Sequence, residues 1–182
     1  MLEDSVVTRR MIPQNFTTSD GETHEILVLE GFVPETEIKR RADFNVDTWH
    51  KDRDNQDRCL ASSFNDDTGP HAPTTGRYIA VMEWAASNSG YFLTTWVNHV
   101  GGKWPSLVSS EKSGTTACHF RVNHSANSGY VGNTDIRDIV RDALAKFRRQ
   151  TGGAERLRAY GTAGCEGTLV NDGRMAMRWR ID

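Results

Sequence analysis

Histidine is the side chain best suited to proton transfer near neutral pH, and this chain of 182 residues contains six. They are His24, His50, His71, His99, His119 and His124. None has the His-x-x-x-His or His-Glu-x-x-His spacing of a helical zinc site. His119 and Arg121 are predicted to share the exposed face of one strand, with His124 just beyond it. Such a cluster could cleave a phosphodiester by general acid–base catalysis, but ordinary surface histidines are the favoured interpretation.

Other catalytic and binding motifs are missing from the sequence. It contains no Gly-x-Ser-x-Gly and no P-loop, and Gly161-Thr-Ala-Gly164 is a poor phosphate loop because no helix follows it. Cys59, Cys118 and Cys165 lack Cys-x-x-Cys spacing, which argues against a zinc knuckle or a thioredoxin-like site. We therefore expect no catalytic residue, no metal site and no cofactor, and we predict that the protein is not an enzyme.

Charge and hydropathy restrict the classes of partner that the protein can bind. The formal net charge of −2 argues against non-specific nucleic-acid binding, and no run of eighteen apolar residues predicts a spanning helix. We therefore expect neither a nucleic-acid partner nor stable membrane insertion. Trp96, Trp104 and Trp179 could form a platform for carbohydrate or membrane contact, although core or half-buried positions are the favoured interpretation.

The pattern becomes regular from residue 58 onward. It predicts strands at 59–65, 91–98, 115–123, 155–165 and 174–182, with helices beginning near Pro73 and covering 135–149. The second helix carries an apolar stripe, and the last strand alternates strictly between apolar and basic or small residues. We predict an α+β fold in which two helices pack on one face of an antiparallel sheet, close to the ferredoxin-like split βαβ sandwich.

Residues 1–57 are predicted to be an N-terminal extension of the domain formed by residues 58–182. The extension has one strand-like run at 24–30 and a tribasic cluster at 39–41. A solvated surface is the favoured interpretation of the cluster, but Lys39-Arg40 also fits a processing protease, so residues 1–40 are a candidate pro-segment. Residues 1–10 lack the apolar core of a signal peptide, which leaves either a cytosolic protein or a leader already removed.

Several motifs in order then resemble one family over residues 58–180. They are Cys59 with a Ser-Phe-Asn strand, a Pro-opened helix, Trp104 before a loop to Thr116-Ala-Cys-His-Phe120, Val131-Gly-Asn-Thr-Asp-Ile136, Tyr160-Gly-Thr-Ala-Gly-Cys165 and a final Arg178-Trp179 strand. Together they resemble the fungal extracellular effectors related to necrosis-inducing factors, which in turn resemble killer toxins. The resemblance implies a secreted protein without a known catalytic site.

Members of that family usually have four cysteines, and here Tyr78 stands where the helix cysteine is expected. In a split βαβ sheet the first and last strands are antiparallel neighbours, which predicts a Cys59–Cys165 disulfide and leaves Cys118 as a buried free thiol. Three reduced cysteines in a cytosolic protein are the alternative. If the chain is secreted, Asn15-Phe-Thr17 and Asn123-His-Ser125 are candidate glycosylation sites.

The function implied by the resemblance is that of a secreted effector or toxin-like protein, with a necrosis-inducing, virulence or antimicrobial role. It would act by binding a cell-surface target of a host or a competitor. Two alternatives stay open. One is a small secreted ribonuclease or hydrolase toxin that uses the strand histidines, and the other is a cell-wall (chitin) binding module.

Overall fold

The computed structural model describes residues 10–30, 48–95, 102–111, 116–125, 128–167 and 173–182. In chain order these residues form β1 (Arg10–Thr17), β2 (Thr23–Glu30), β3 (Thr48–Lys51), β4 (Cys59–Ser62), β5 (Asn65–Asp66), α1 (Thr75–Ser87), β6 (Gly90–Thr95), β7 (Ser106–Glu111), β8 (Cys118–Asn123), β9 (Ser128–Gly132), α2 (Asn133–Phe147), β10 (Arg149–Thr151), β11 (Ala154–Arg156), β12 (Ala159–Glu166) and β13 (Arg174–Ile181).

Most of these strands join one antiparallel sheet, which we call the main sheet. Its order is β1-β2-β7-β8-β13-β12-β4, and β5 also pairs with β12. A second antiparallel sheet, the small sheet, has the order β3-β6-β9, while β10 and β11 form a hairpin. Two helices with mostly antiparallel sheet place the domain in the α+β class that the sequence predicts.

The helices and both sheets enclose one hydrophobic core. α1 contacts β2 and β7 of the main sheet, α2 contacts β6 and β9 of the small sheet, and the two helices contact each other. The buried side of α2 is the apolar stripe predicted from its 3.6-residue period. The alternation of β13 places four residues in the core, namely Met175, Met177, Trp179 and Ile181. Both periodicities are therefore confirmed.

Two strands predicted as continuous are interrupted. The run 155–165 divides into β11 and β12, because the Leu157 amide donates to the Pro73 carbonyl (3.2 Å) and the Arg158 amide to the Thr68 hydroxyl (3.0 Å) instead of to a strand. The run 59–65 divides into β4 and β5. Gly161 of β12 permits this arrangement, since a Cβ there would lie 1.9 Å from the carbonyl oxygen of Ser63.

One edge of the main sheet is formed by the β1–β2 hairpin, and we call it the hairpin edge. β2 pairs with β7, and Ile26, Val28 and Leu29 lie in the core. Strand β1 contains Pro13, which an edge strand tolerates because its outer side needs no ladder hydrogen bond.

The predicted domain boundary at residue 58 and the predicted pro-segment stay predictions. The candidate processing residues Lys39 and Arg40 lie outside the described residues.

The opposite edge consists of β4 and β5 on β12, and we call it the disulfide edge. Cys59 lies directly opposite Cys165 in the antiparallel register, and a disulfide joins them with a Cα–Cα distance of 4.0 Å. The Asp135 carboxylate at the start of α2 accepts from the amides of Arg58 (2.9 Å) and Cys59 (3.1 Å). These bonds hold β4 against α2.

Candidate functional site

The outer surface of β8, β13 and β12 brings distant polar residues together. Tyr160 of β12 lies opposite Arg180 of β13, which lies opposite Arg121 of β8. In the next row Arg178 lies between Thr162 and Asn123. Neighbouring strands are about 4.8 Å apart, so the side chains of one row are in reach of each other. Three arginines and a tyrosine from three strands therefore share one surface.

Asp182 fixes two of these arginines. One carboxylate oxygen accepts from Arg121 Nε at 2.8 Å, and the other lies 2.9 Å from Arg180 Nε. Asp182 is held in turn by two backbone hydrogen bonds exchanged with His119, at 2.7 and 3.2 Å. One carboxylate shared by two guanidiniums lowers their mutual repulsion and orders both side chains.

Trp104 extends this surface beyond the strands. The guanidinium carbons of Arg180 and Arg178 lie 4.9 and 5.6 Å from its ring centroid, within cation–π distance. Arg121 Nη1 donates to the Trp104 carbonyl at 3.0 Å, which ties the loop before β7 to the sheet. We call this surface the arginine–aromatic face, and it consists of Trp104, Arg121, Arg158, Tyr160, Arg178 and Arg180.

A cleft of about 340 Å³ opens on the arginine–aromatic face. Its lining includes Asp67, Trp104, Arg158, Tyr160, Arg180 and Asp182. The Tyr160 side chain is 49% exposed, although its neighbours in β12 are buried in the core. Within the described residues, Arg178 makes no ion pair with a carboxylate, and Arg158 has only Asp67 at 4.0 Å. Arg158 and Tyr160 line the cleft, whereas Arg178 lies beside it, near the Trp104 ring, and its Nη2 donates to Asn123 Oδ1. The two cations and the Tyr160 ring are the groups of the arginine–aromatic face with donors or surface left for a ligand.

His119, the predicted candidate for acid–base chemistry, lies beside this cleft. Its Nδ1 lies 3.1 Å from the Ser106 hydroxyl. Burial is the largest cause that lowers the pKa of His119, and the nearby Arg121 guanidinium lowers it further. His124 lies on the opposite side of the strand, where it is buried and its Nε2 is 2.8 Å from the Thr94 hydroxyl. The strand alternation thus separates the two histidines that the sequence placed next to each other.

The other predicted aromatic and histidine residues lie apart from the face. Trp179 is 1% exposed and packs against Phe64, so its core interpretation is correct and the three-tryptophan platform does not form. Trp96 and His99 lie outside the described residues. His50 stacks on Tyr91 of the small sheet at 5.0 Å, and His71 is exposed at the start of the α1 region.

A serine, a histidine and a glutamate also meet in an arrangement that the sequence did not suggest. The Ser110 hydroxyl is 3.4 Å from His24 Nδ1, and His24 Nε2 is 3.5 Å from the Glu22 carboxylate. The order resembles a hydrolytic triad. Ser110 is fully buried and His24 is 5% exposed, however, so a substrate cannot reach the hydroxyl. The cluster joins the hairpin to β7.

Cys118 is buried and does not form a disulfide. Burial raises the pKa of its thiol, and the buried Tyr78 side chain lies next to it.

The two predicted glycosylation sites differ in exposure. Asn15 is exposed on β1, whereas Asn123 is 2% exposed and its Nδ2 donates to the Lys103 carbonyl. Both glycosylation sites stay predictions, and Asn15 is the accessible one.

Neither a metal cluster nor a membrane-spanning helix is found within the described ranges. Across residues 10–30, 48–95 and the later described ranges, no group of three or more His, Cys, Asp or Glu side chains is arranged to hold a metal ion. In the same ranges neither helix is long and apolar enough to cross a membrane.

Comparison with known proteins gives one family. Residues 58–165, more than half of the chain, match the Hce2 family model, which describes pathogen effectors and a candidate necrosis-inducing factor. No curated protein matches the chain. The match covers β4 to β12 and therefore includes Trp104, Arg121, Arg158 and Tyr160 of the arginine–aromatic face, as well as both disulfide cysteines. The chain belongs to the Hce2 family of pathogen effectors.

Proposed function

We propose that the protein is a secreted, non-enzymatic effector that binds a target of a host or a competitor through the arginine–aromatic face. The observation that best supports this proposal is the cleft in which the exposed Tyr160 meets Trp104, Arg158 and Arg180. Tyrosine, tryptophan and arginine are the residues that most often dominate binding energy at protein surfaces. Asp182 and Trp104 already order Arg180, so less side-chain entropy is lost when a target binds.

Secretion belongs to the same proposal. Family membership and a disulfide at the sheet edge support it, because structural disulfides persist in oxidising compartments. A killer-toxin-like split βαβ sandwich with both helices on one face is the finer form of the fold that we propose. The antiparallel pairing of β4 with β12 and the mutual contact of α1 and α2 support that form.

The proposal that the protein is not an enzyme is supported by the surroundings of His119. A ribonuclease needs a base and an acid that both reach the substrate. His119 and His124 lie on opposite sides of the strand, and the lowered pKa of His119, caused mainly by burial, disfavours the protonated form that a general acid needs. RNA cleavage by the pure protein, lost in His119→Ala, would overturn the proposal. Specific binding to chitin oligomers would favour the cell-wall module.

The test of target binding compares the two exposed large hydrophobic side chains of the described residues. Tyr160 lies in the cleft, and Leu60, 60% exposed, lies on β4 away from it. Wild-type protein, Tyr160→Ala and Leu60→Ala are applied to plant tissue and to competitor fungal cells, and cell death is scored. We expect Tyr160→Ala to lose most of the activity and Leu60→Ala to keep it. Equal activity of the three proteins would show that the face does not bind the target.

A further inference from the structure

We infer that the arginine–aromatic face binds an acidic polysaccharide, with its carboxylates on Arg158 and Arg178 and its sugar rings on Tyr160. The inference rests on the proposed function, because it names the chemical class of the target that this face recognises. Three properties of the face lead to it: its charge, its existing carboxylate contact and its exposed aromatic ring.

The charge of the face is opposite to that of the whole protein. Arg121, Arg158, Arg178 and Arg180 meet only the carboxylates of Asp67 and Asp182 among the residues of the cleft and face. That leaves an excess of positive charge on a protein whose formal net charge is −2. A local cationic cleft on an acidic protein attracts an anionic ligand to that cleft and repels it elsewhere.

The geometry of the arginines suits carboxylates. Asp182 already shows this, since its two oxygens each contact one guanidinium, at 2.8 and 2.9 Å. A guanidinium presents several N–H donors in one plane, which matches the two oxygens of a carboxylate. Arg158 and Arg178 have the same donors without a close carboxylate within the described residues. Separate carboxylates of the ligand can therefore make with Arg158 and with Arg178 the contact that Asp182 makes with each of its two arginines.

Tyr160 provides the contact for the neutral part of the ligand. Its ring is nearly half exposed and lies one strand away from Arg180 in the same row. The C–H face of a sugar ring packs against an aromatic ring of this kind, while the phenol oxygen can bond a sugar hydroxyl. An ionic contact next to a stacking contact is the combination that a uronic acid residue requires.

Nucleic acid fits these observations less well. A duplex carries one negative charge per about 1.7 Å of its axis, and its affinity comes mainly from many phosphate contacts. The face offers only two arginines without a close carboxylate, and the protein as a whole is negative. A polysaccharide with one carboxylate per sugar has a lower charge density and needs fewer cations.

The experiment measures binding of oligogalacturonate to the full chain by calorimetry. The comparison ligands are the same oligomers with methyl-esterified carboxylates, chitin oligomers and single-stranded RNA. We expect binding of the acidic oligomers that weakens with salt, and little binding of the esterified ones. Arg158→Gln and Arg178→Gln should each raise Kd about tenfold, the effect of losing one charge-assisted contact.

Arg141→Gln is the matched control, because it removes the same charge from α2, where Arg141 is exposed and paired with Asp138 and Asp142. It should leave Kd unchanged, and thermal melts verify that all variants fold. Equal binding of the esterified oligomers, an equal effect of Arg141→Gln, or a clear preference for RNA would overturn the inference. If acidic oligomers fail to bind while Tyr160→Ala still loses cell killing, the inference is wrong and the proposed function stands.

Discussion

The hairpin edge and the disulfide edge of the main sheet are stabilised by different interactions. At the hairpin edge, Ile26, Val28 and Leu29 enter the core and β2 pairs with β7, and neither β1 nor β2 contains a cysteine that could form a disulfide. At the disulfide edge, β4 and β5 contribute mostly exposed residues, and the Cys59–Cys165 bridge fixes them to β12. One edge depends on apolar burial, whereas the other depends on a covalent bond.

A short strand needs additional links to stay in a sheet. β4 has four residues and buries little apolar surface, so pairing alone would hold it weakly. Three interactions compensate for this weak pairing of β4. They are the disulfide, the hydrogen bonds to the Asp135 carboxylate and an ion pair between Arg58 and Glu166 at 2.7 Å. The β1–β2 hairpin has eight residues per strand and needs no such link. The family match begins after that hairpin, so its importance follows from its contacts alone.

Deleting the hairpin edge should destabilise the protein more than any other change considered for the two edges. Each of its three core side chains contributes about 1.5–3 kcal/mol on burial, and a domain of this kind has a total stability of about 5–15 kcal/mol. Deletion of residues 1–40 would also expose β7 as an unpaired edge. We expect the chain 41–182 to unfold or aggregate, measured by circular dichroism melts and by size-exclusion chromatography.

The same deletion tests the pro-segment prediction. If residues 1–40 are removed in a secreting fungal host, the intact mass should correspond to a chain that begins at Arg41 or Ala42. A shortened chain that melts as cooperatively as the full one would contradict our expectation and favour processing. Full-length protein in secreted material, together with a poorly folded deletion, would make the hairpin a permanent part of the fold.

The second effect in size comes from opening the disulfide edge. The bridge closes a loop with a sequence separation of 106, and the loop-entropy model assigns about 4–5 kcal/mol to a closure of that length. Cys59→Ser with Cys165→Ser should lower the free energy of unfolding by up to this amount in urea titrations. Reductant should reproduce the loss in the wild type and have no effect on the double variant.

Thiol counting tests the disulfide edge directly. In denaturant without reductant, one reactive thiol is expected, that of Cys118, which is buried in the native state. Native hydrogen exchange should then show faster exchange in β4 after reduction, while the hairpin amides keep their protection, because β1 and β2 contain no cysteine. Three reactive thiols before reduction would mean that the disulfide does not form.

The sequence predicted those parts of the fold in which one periodicity decides burial. α2 and β13 were found because each buries a regular apolar face. β7 and β9 were missed, since Ser-Leu-Val-Ser-Ser-Glu and Ser-Gly-Tyr-Val-Gly alternate poorly and are rich in serine and glycine. Their neighbours in the sheets, not their own propensity, make them strands. Gly129 illustrates this, because a Cβ there would meet the Met175 side chain at 1.9 Å.

The candidate site was only partly predictable for a related reason. His119, Arg121 and Trp104 were considered as candidate site residues from their type. Tyr160 and Arg178 entered only as parts of family motifs, and Arg158 and Arg180 were not considered for a site. The alternation of Arg178 and Arg180 with core residues indicates that they face outward, yet it does not say which strand lies beside them. The register of β12, β13 and β8 is a long-range property, and it alone brings Tyr160, Arg180 and Arg121 into one row.

The turn of the hairpin contributes least to the stability of the hairpin edge. The amide and the hydroxyl of Ser19 each donate to the Glu83 carboxylate of α1 at 2.7 Å. Ser19 is exposed, so water replaces a lost bond and the net contribution is small. We expect Glu83→Ala to reduce the free energy of unfolding by about 1 kcal/mol and Ser19→Ala by about 0.5 kcal/mol, because only the first removes the acceptor of both bonds.

A double-mutant cycle in urea measures the coupling between Ser19 and Glu83, and the hydrogen-exchange rate of the β1–β2 amides should rise in both variants. Additive effects without faster hairpin exchange would show that burial in β2, and not this contact, holds the hairpin edge.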